Sequence, residues 1–400
     1  MKKITGTVFF FAAGLAVLTG CAPDVNQANE EENEDDVIVV EETEEEEEEP
    51  EYRVTPTIDS PDDFYRNVLR DGTYERSEAR GNVAHAMGNR IDIDQFEMGL
   101  MEIATDRFSP DDYYFSEGTF LSGNEINYWL RRQADEEGYE FGLNPSLGDG
   151  DDQEEQMRDQ PLVISHIMEH NYYSGNGDDD VSLSGIVLGV SIRSVYYFQT
   201  EDDDGGLYFH EENVDENYAD EHAEQAAQVM VERMRAKEGA EEVPIQVVFY
   251  REEERGAVAP GSFYQMADVP EGETEITEWE AISEEQLVFP SAEAREKDAN
   301  LSANFTQFTE GIDEFYGRTV GVIGNGRYKD GNLDQMVIDI NLQSPGQAEV
   351  IALAQFIAGE LEDTLNAQVP VHLYLNSVNG SEGIVIHHPG QEPYIHINRS

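Results

Sequence analysis

The sequence predicts an α+β (α/β mixed) protein: mixed, largely antiparallel sheets with helices packed on them, arranged as two tandem repeats. Three observations carry this expectation. Segments with apolar residues at helical spacing alternate with short runs that read as strands. The order of these elements recurs along the chain. In both passes a long helix leads into Val-Pro and an alternating strand, at Val243-Pro244-Ile245 and Val369-Pro370-Val371.

Phe96, Leu100, Ile103 and Ala104 mark a first helix. Ser122 with Glu125 forms a capping-box pattern ahead of Ile126, Trp129 and Leu130, predicting a helix over 122–133. Ala223, Ala227, Met230 and Met234 share one face of a helix over 221–237, stopped by Gly239. Leu301, Phe305, Phe308, Ile312 and Phe315 follow a 4-3-4-3 rhythm over 297–316, ended by Gly317. Ser344, with Pro345 at the first helical position and Gln347 closing a box, starts a helix over 345–365 whose buried face is Val350, Leu353, Ile357 and Leu361. Strands are expected at 162–168, 185–198, 243–250, 319–323, 335–341, 369–375, 383–387 and 394–397. The first series closes on Pro260-Gly261 and the second on Pro389-Gly390. Because α/β order recurs easily, coincidence of element order is the alternative to a true repeat. The short 324–334 connection suits a hairpin, which favours antiparallel pairing.

The chain has 400 residues, 24 Lys+Arg and 86 Asp+Glu, a formal charge of −62. Hydrophobic content of 39% is enough to fill a core. Residues 30–51 hold 15 of the acids, yet residues 52–400 still carry 70 acids against 22 bases. Lysine is scarce, 5 against 19 Arg. The acidity is therefore global, and it excludes phosphate backbones as partners, so no nucleic acid is expected. It fits an extracytoplasmic, halophilic protein, since at about 1 M salt the Debye length is roughly 3 Å. An acidic cation-binding surface in ordinary salt is the alternative.

Residues 1–21 read as a signal peptide: Lys2 and Lys3 precede an apolar run, Val8 to Leu18, too short to span a bilayer. Leu18-Thr19-Gly20-Cys21 resembles the lipobox of bacterial lipoproteins. That resemblance implies a diacylglyceryl group on Cys21, whose two acyl chains suffice for stable anchoring in a lipid bilayer. Cys21 is the single cysteine, so no disulfide forms within the chain. Residues 22–51 form an acidic, self-repelling linker, up to about 100 Å long when extended. The two repeats are then expected over 52–280 and 281–400.

The stretches 91–109 (IDIDQFEMGLMEIATDRFS), 141–145 (FGLNP), 162–173 (LVISHIMEHNYY), 242–264 (EVPIQVVFYREEERGAVAPGSFY), 287–291 (LVFPS), 320–333 (VGVIGNGRYKDGNL) and 348–359 (AEVIALAQFIAG) resemble the CamS sex-pheromone lipoprotein family of Gram-positive bacteria. The resemblance implies a membrane-anchored envelope lipoprotein with two related repeats. In some members a peptide pheromone is released from the signal peptide just before the lipobox Cys; here the corresponding stretch is Gly14 to Gly20 (GLAVLTG). The resemblance supplies no catalytic residues.

The residues themselves offer little catalytic chemistry. There is no G-x-S-x-G elbow, no Walker A sequence and no H-E-x-x-H, the nearest approach being His210-Glu211-Glu212. Gly321 to Gly326 (GVIGNG) reads as a hairpin turn rather than a phosphate cradle, because a strand and not a helix follows. The strongest metal signal is 200–211, where Asp202, Asp204, Gly205, Leu207 and Glu211 fall in calcium-loop register but Thr200 replaces the first Asp. An acidic salt-adapted loop is the other reading. His372, His387, His388 and His396 cluster on C-terminal strands without a zinc spacing; alternation puts His372 and Tyr374 on one face and Val371 and Leu373 on the other. Tyr172, Tyr173, Tyr196, Tyr197 and Phe198 line either a ligand groove or core. No cofactor is expected. The expected function is a non-enzymatic envelope binding module, with an envelope or peptide ligand. A cell-envelope hydrolase using paired carboxylates is the alternative.

Overall fold

The computed structural model describes residues 52–398, apart from 57–63, 82–88, 90, 137, 177–180, 203 and 366–367. The expected signal peptide, lipobox and linker lie outside the described residues. In chain order the elements are β1 (Tyr52–Val54), β2 (Arg66–Arg70), β3 (Thr73–Tyr74), α1 (Ile93–Ala104), β4 (Tyr113–Glu117), α2 (Gly123–Trp129), α3 (Gln153–Asp159), β5 (Ile164–Gly175), β6 (Val181–Ile192), β7 (Val195–Glu201), β8 (Leu207–Asn213), α4 (Glu216–Arg235), β9 (Ile245–Arg251), β10 (Ser262–Val269), β11 (Glu280–Ala281), β12 (Glu284–Phe289), α5 (Ala292–Lys297), α6 (Ala299–Tyr316), β13 (Gly321–Lys329), β14 (Asn332–Leu342), α7 (Gln347–Glu360), β15 (Val371–Ser377), β16 (Gly380–His387) and β17 (Tyr394–Ile397).

One sheet runs β1-β2-β4-β5-β6-β9-β10-β11 with β3 beside β2; a second runs β12 to β17 in chain order; β7 and β8 form a separate hairpin. Among the described residues, β2–β4, β6–β9 and β14–β15 are the parallel pairs, and the rest are antiparallel. Both large sheets pass through the same succession. A hairpin (β5–β6, β13–β14) is followed by a helix (α4, α7), a strand parallel to the hairpin's second strand (β9, β15) and an antiparallel neighbour (β10, β16). Parallel neighbours need a crossover connection, and each helix supplies one. The Val-Pro pairs sit at the same place in both. Pro244 and Pro370 lack an N–H, so they open their strands as acceptors. They receive the N–H of Ile186 and of Met336, each at 3.0 Å.

The helical faces read from the sequence form the cores. Ala223, Ala227, Met230 and Met234 of α4 are fully buried against Leu188, Val190, Val247 and Phe249. On the other side of that sheet, Phe96 and Leu100 of α1 pack on Val187 and Val248. In the second sheet Phe305, Phe308 and Ile312 of α6 and Val350, Leu353 and Ile357 of α7 bury Ile338, Ile340, Leu373 and Val385. The sheets meet at a charged corner, where Glu102 of α1 pairs with Arg327 (2.6 Å) and Lys329 (2.5 Å) of β13. Burial raises Glu102's pKa, but the hydrogen bond from Lys329 and the field of Arg327 outweigh it and hold the carboxylate low.

Several local expectations are corrected. The strand expected over 185–198 is two strands. Arg193 turns its N–H to the Val163 carbonyl (2.8 Å) and the Ser194 carbonyl accepts from Val214 (2.9 Å), so β7 leaves the sheet to pair with β8. GVIGNG is not a turn but part of β13. A Cβ at Gly324 would lie 2.7 Å from the Phe305 ring, and one at Gly326 would lie 3.0 Å from Phe289, so these glycines admit core rings. The turn is Asp330-Gly331, both at positive φ (51° and 76°), as a two-residue hairpin loop requires. The helix expected over 297–316 breaks at Asp298, which caps α6 by accepting the Leu301 N–H at 2.9 Å; Gly317 ends it at φ 65°. Ser344 is not the cap of α7. Gly346 is, donating its N–H to Glu349 at 3.1 Å. That helix becomes a π-helical turn over Leu361–Leu365, and α2 ends at Trp129 rather than 133.

Candidate functional site

Buried polar groups set the position of α2. The Glu169 carboxylate on β5 accepts the backbone N–H groups of Thr119 (2.9 Å), Phe120 (3.0 Å) and Leu121 (2.7 Å), pinning the turn before the helix. Burial pushes this carboxyl's pKa up, and the N–H groups oppose the rise. A Cβ at Gly118 would lie 2.4 Å from the Glu169 side chain, so glycine is needed there. The predicted box then starts α2: the Glu125 N–H donates to Ser122 Oγ and the Ser122 N–H to Glu125 Oε2, each at 3.3 Å.

The segment after α2 is tied back over it. Buried Asn144 donates to the Leu130 and Ile164 carbonyls (both 2.9 Å) and accepts from the Val163 and Ile164 N–H groups (both 2.8 Å), so all four of its bonding positions are used. Arg132 donates to the carbonyls of Pro145 (2.9 Å) and Gln160 (2.7 Å). Arg131 lies 4.6 Å over the Tyr128 ring and 5.2 Å over Tyr139. From α4, Arg233 lies 5.3 Å over Trp129 and 5.9 Å over Phe141, and donates to the Phe141 carbonyl at 2.9 Å. Burial lowers the Arg233 pKa, with Glu125 opposing; a guanidinium nevertheless stays charged.

These alternating cations and rings wall a cleft of about 600 Å³, lined among others by Glu125, Tyr128, Trp129, Phe141, Arg233 and Lys237. A second hollow of about 440 Å³ shares Tyr128 and adds Arg131 and Tyr139. Both are of the size that holds small ligands. Tyr128 is 40% exposed and Phe141 51%, leaving stacking area open to solvent. No Ser, Thr, Cys or His is among the described residues lining either hollow. Glu125 is taken by Lys237 (2.6 Å) and by the helix cap. The cleft is thus equipped for stacking and hydrogen bonding.

A family model described as the CamS sex pheromone cAM373 precursor matches residues 74–393. The chain belongs to the CamS sex pheromone precursor family. A crystal structure of a sex pheromone precursor from Lactobacillus salivarius subsp. salivarius is similar with a TM-score of 0.75 at 26% identity, covering 87% of this chain and 99% of that one. The C-terminal domain of the sex pheromone staph-cAM373 precursor from Staphylococcus aureus shares the fold, with a TM-score of 0.66 at 24% identity over 78% of this chain and 98% of that one. No curated protein matches the chain.

In this CamS-family body the residues singled out from sequence fall in separate places. Cys21 and the lipobox Leu18, Thr19 and Gly20 lie outside the described residues. Asp202 and Glu211 sit on the β7–β8 hairpin. Asp202 accepts the N–H groups of Asp204 (3.0 Å) and Gly206 (2.7 Å) and the Tyr208 hydroxyl (3.0 Å), so its carboxylate shapes the turn. Glu211 stands on β8 opposite Tyr197. No group of three or more His, Cys, Asp or Glu converges as a metal site among the described residues. The aromatic run is split between separate packing sites, with Tyr197 under the Arg255 guanidinium at 4.2 Å. Tyr172 stacks on Phe108 under α1, Tyr173 lies in a small edge cluster, and Tyr196 and Phe198 pack in the α4 core. Of the histidines, His387 is buried on the helix side of its sheet, while His372 meets His388 edge-on at 6.2 Å on the other. Sequence reasoning missed the cleft. Its signal was Tyr128, Tyr139 and Phe141 interleaved with Arg131 and Arg132 in a stretch dominated by acids.

Proposed function

We propose that the chain is a lipid-anchored envelope protein of the CamS type whose folded body is a non-enzymatic binding module, with the cleft as its ligand seat. The cleft carries the reading: cation–ring walls and open aromatic surface suit a ligand with a flat apolar group. Family membership and the lipobox support anchoring through a diacylglyceryl group on Cys21. No helix among the described residues is long and apolar enough to cross a membrane. The signal segment Gly14 to Gly20 is a source of a peptide pheromone in this reading, and the two sheets are two copies of one unit, divided as 52–280 and 281–400. The dispersed acidity and scarce lysine support a salty, extracytoplasmic setting.

Each part has its test. Cells fed a labelled fatty acid should label the full-length chain, and Cys21→Ala should abolish the label and release the protein into the medium. Mass spectrometry of the medium should find GLAVLTG. Incubation with isolated envelope should release no fragments; turnover lost on substituting one carboxylate would replace the binding module by a hydrolase. In the Lactobacillus salivarius structure, the strands matching β5, β6, β9 and β10 should superpose on those matching β13 to β16; failure to superpose would leave the repeat as coincidence.

A further inference from the structure

The two large sheets differ in what covers the side away from α4 and α7. In the first sheet α1 lies there, and Gly189 makes room for it: a Cβ would come within 2.8 Å of both Leu100 and Phe96. The hydrogen bonds to Pro244 and Pro370 align the sheets, so that Ile186 corresponds to Met336 and Ile245 to Val371. Counting from them, Gly189 corresponds to Asp339 and Val248 to Tyr374. In the second sheet α5, α6 and α7 all pack on the opposite side.

Strand register sets out what this side presents. One row crosses β13 to β17 as Ile323, Asp339, Tyr374, Ile384 and His396. The next carries Val337, His372, Ile386 and Tyr394. All are half-buried or exposed, Tyr394 at 60%. Five strands at about 4.8 Å spacing make a platform roughly 19 Å wide. Arg327 and Lys329 on the same side hold Glu102, so the end of α1 borders the platform.

The chemistry narrows the occupant. An apolar helix seated as α1 is would bury the Asp339 carboxylate, a costly step without a counter-charge. Partial burial already pushes this carboxyl's pKa up, with the Asn376 amide, 3.1 Å away, opposing. An anionic polymer would meet Asp339 and a chain of net charge −62. An extended peptide pairs with a sheet edge, and this is a sheet face. What remains is a neutral molecule with hydroxyls on its rim and flat apolar faces. Tyrosine rings take such faces, while carboxylate, amide and imidazole groups take hydroxyls.

We propose that the face of the six-stranded sheet that no described helix covers binds an uncharged glycan strand, with Tyr374 and Tyr394 as stacking planes and Asp339, Asn376 and His396 as hydroxyl partners. The face lies on a different sheet from the aromatic cleft, and the proposal does not depend on that cleft. Calorimetric titration of the full chain with an uncharged tetramer of N-acetylhexosamine tests it, beside a carboxylated sugar tetramer of equal length. The neutral tetramer should bind with Kd of about 1 mM or tighter, and Tyr374→Ala and Asp339→Ala should each weaken it roughly tenfold. Tyr374→Trp, which keeps a ring, should bind, and Phe141→Ala, which removes an exposed ring of the cleft, should leave affinity unchanged. Near-UV circular dichroism checks that the variants keep their tertiary packing. The proposal is overturned if the neutral tetramer does not bind, if folded Tyr374→Ala binds it as well as the wild type, if folded Phe141→Ala abolishes binding, or if the carboxylated tetramer binds more tightly.

Discussion

His170 makes folding of this chain sensitive to mild acid, and the size of the effect follows from its surroundings. The residue stands on β5 between Glu117 and Val187, is 2% exposed, and sets its ring edge-on to Phe115 at 4.9 Å. Its Nδ1 has no hydrogen-bond partner among the described residues. Burial disfavours the imidazolium and pushes the pKa down to about 3. Unfolded, the same ring titrates near about 6.5. Above that pH both states are neutral and the group contributes nothing to the pH dependence. As pH falls below it, the unfolded chain takes a proton that the folded chain refuses, so stability is lost progressively down to the folded value. By pH 5 the linked loss is about 2 kcal/mol. Urea unfolding of the wild type and of His170→Gln at pH 7 and pH 5, in constant high salt, isolates this contribution, because the carboxylates and other histidines titrate in both proteins. The variant starts less stable, yet it should lose about 2 kcal/mol less between the two pH values. Equal losses in the two proteins would refute the reasoning.

Gly185→Ala places a Cβ 2.2 Å from Phe108, which is itself stacked on Tyr172, so overpacking should cost about 1–3 kcal/mol in urea unfolding; no loss would mean that the ring yields freely. Ser122→Ala removes the acceptor for the Glu125 N–H and should cost about 1 kcal/mol of thermal or urea stability. Glu102→Gln loosens the corner between the sheets, but the carboxylate is 42% exposed. Its effect should stay under about 1 kcal/mol in dilute buffer and shrink in about 1 M NaCl, read as the change in unfolding midpoint. The dispersed acidity predicts that urea stability of the wild type rises between about 0.1 M and 1 M NaCl; a flat or falling response would count against salt adaptation.

Elements were legible where one local cause dominates. The Ser122–Glu125 box, the alanine and methionine face of α4 and the Gly317 stop each depend on residues within a few turns of one another. The Val-Pro openings were visible because proline's missing donor confines it to the start of such strands. Illegible features depend on distant partners. Gly324 and Gly326 look like turn residues until Phe305 and Phe289 arrive from elsewhere to fill the space above them. The apolar run from 185 to 198 conceals a change of pairing partner at Arg193 and Ser194, which no periodicity records. Strands as short as β1 and β3 are too brief to show alternation. The cleft was hidden for the same reason: Arg233 is about a hundred residues from Trp129, and only folding stacks one on the other.

The central claim, that the folded body is a binding module working through the cleft, is tested most directly by hydrogen–deuterium exchange of the full chain with and without isolated envelope. The account predicts slower exchange over 123–136 and 233–237, lost in Phe141→Ala, while the envelope remains chemically intact. Unchanged exchange in those segments while the chain still sediments with the envelope, or release of envelope fragments, would contradict it.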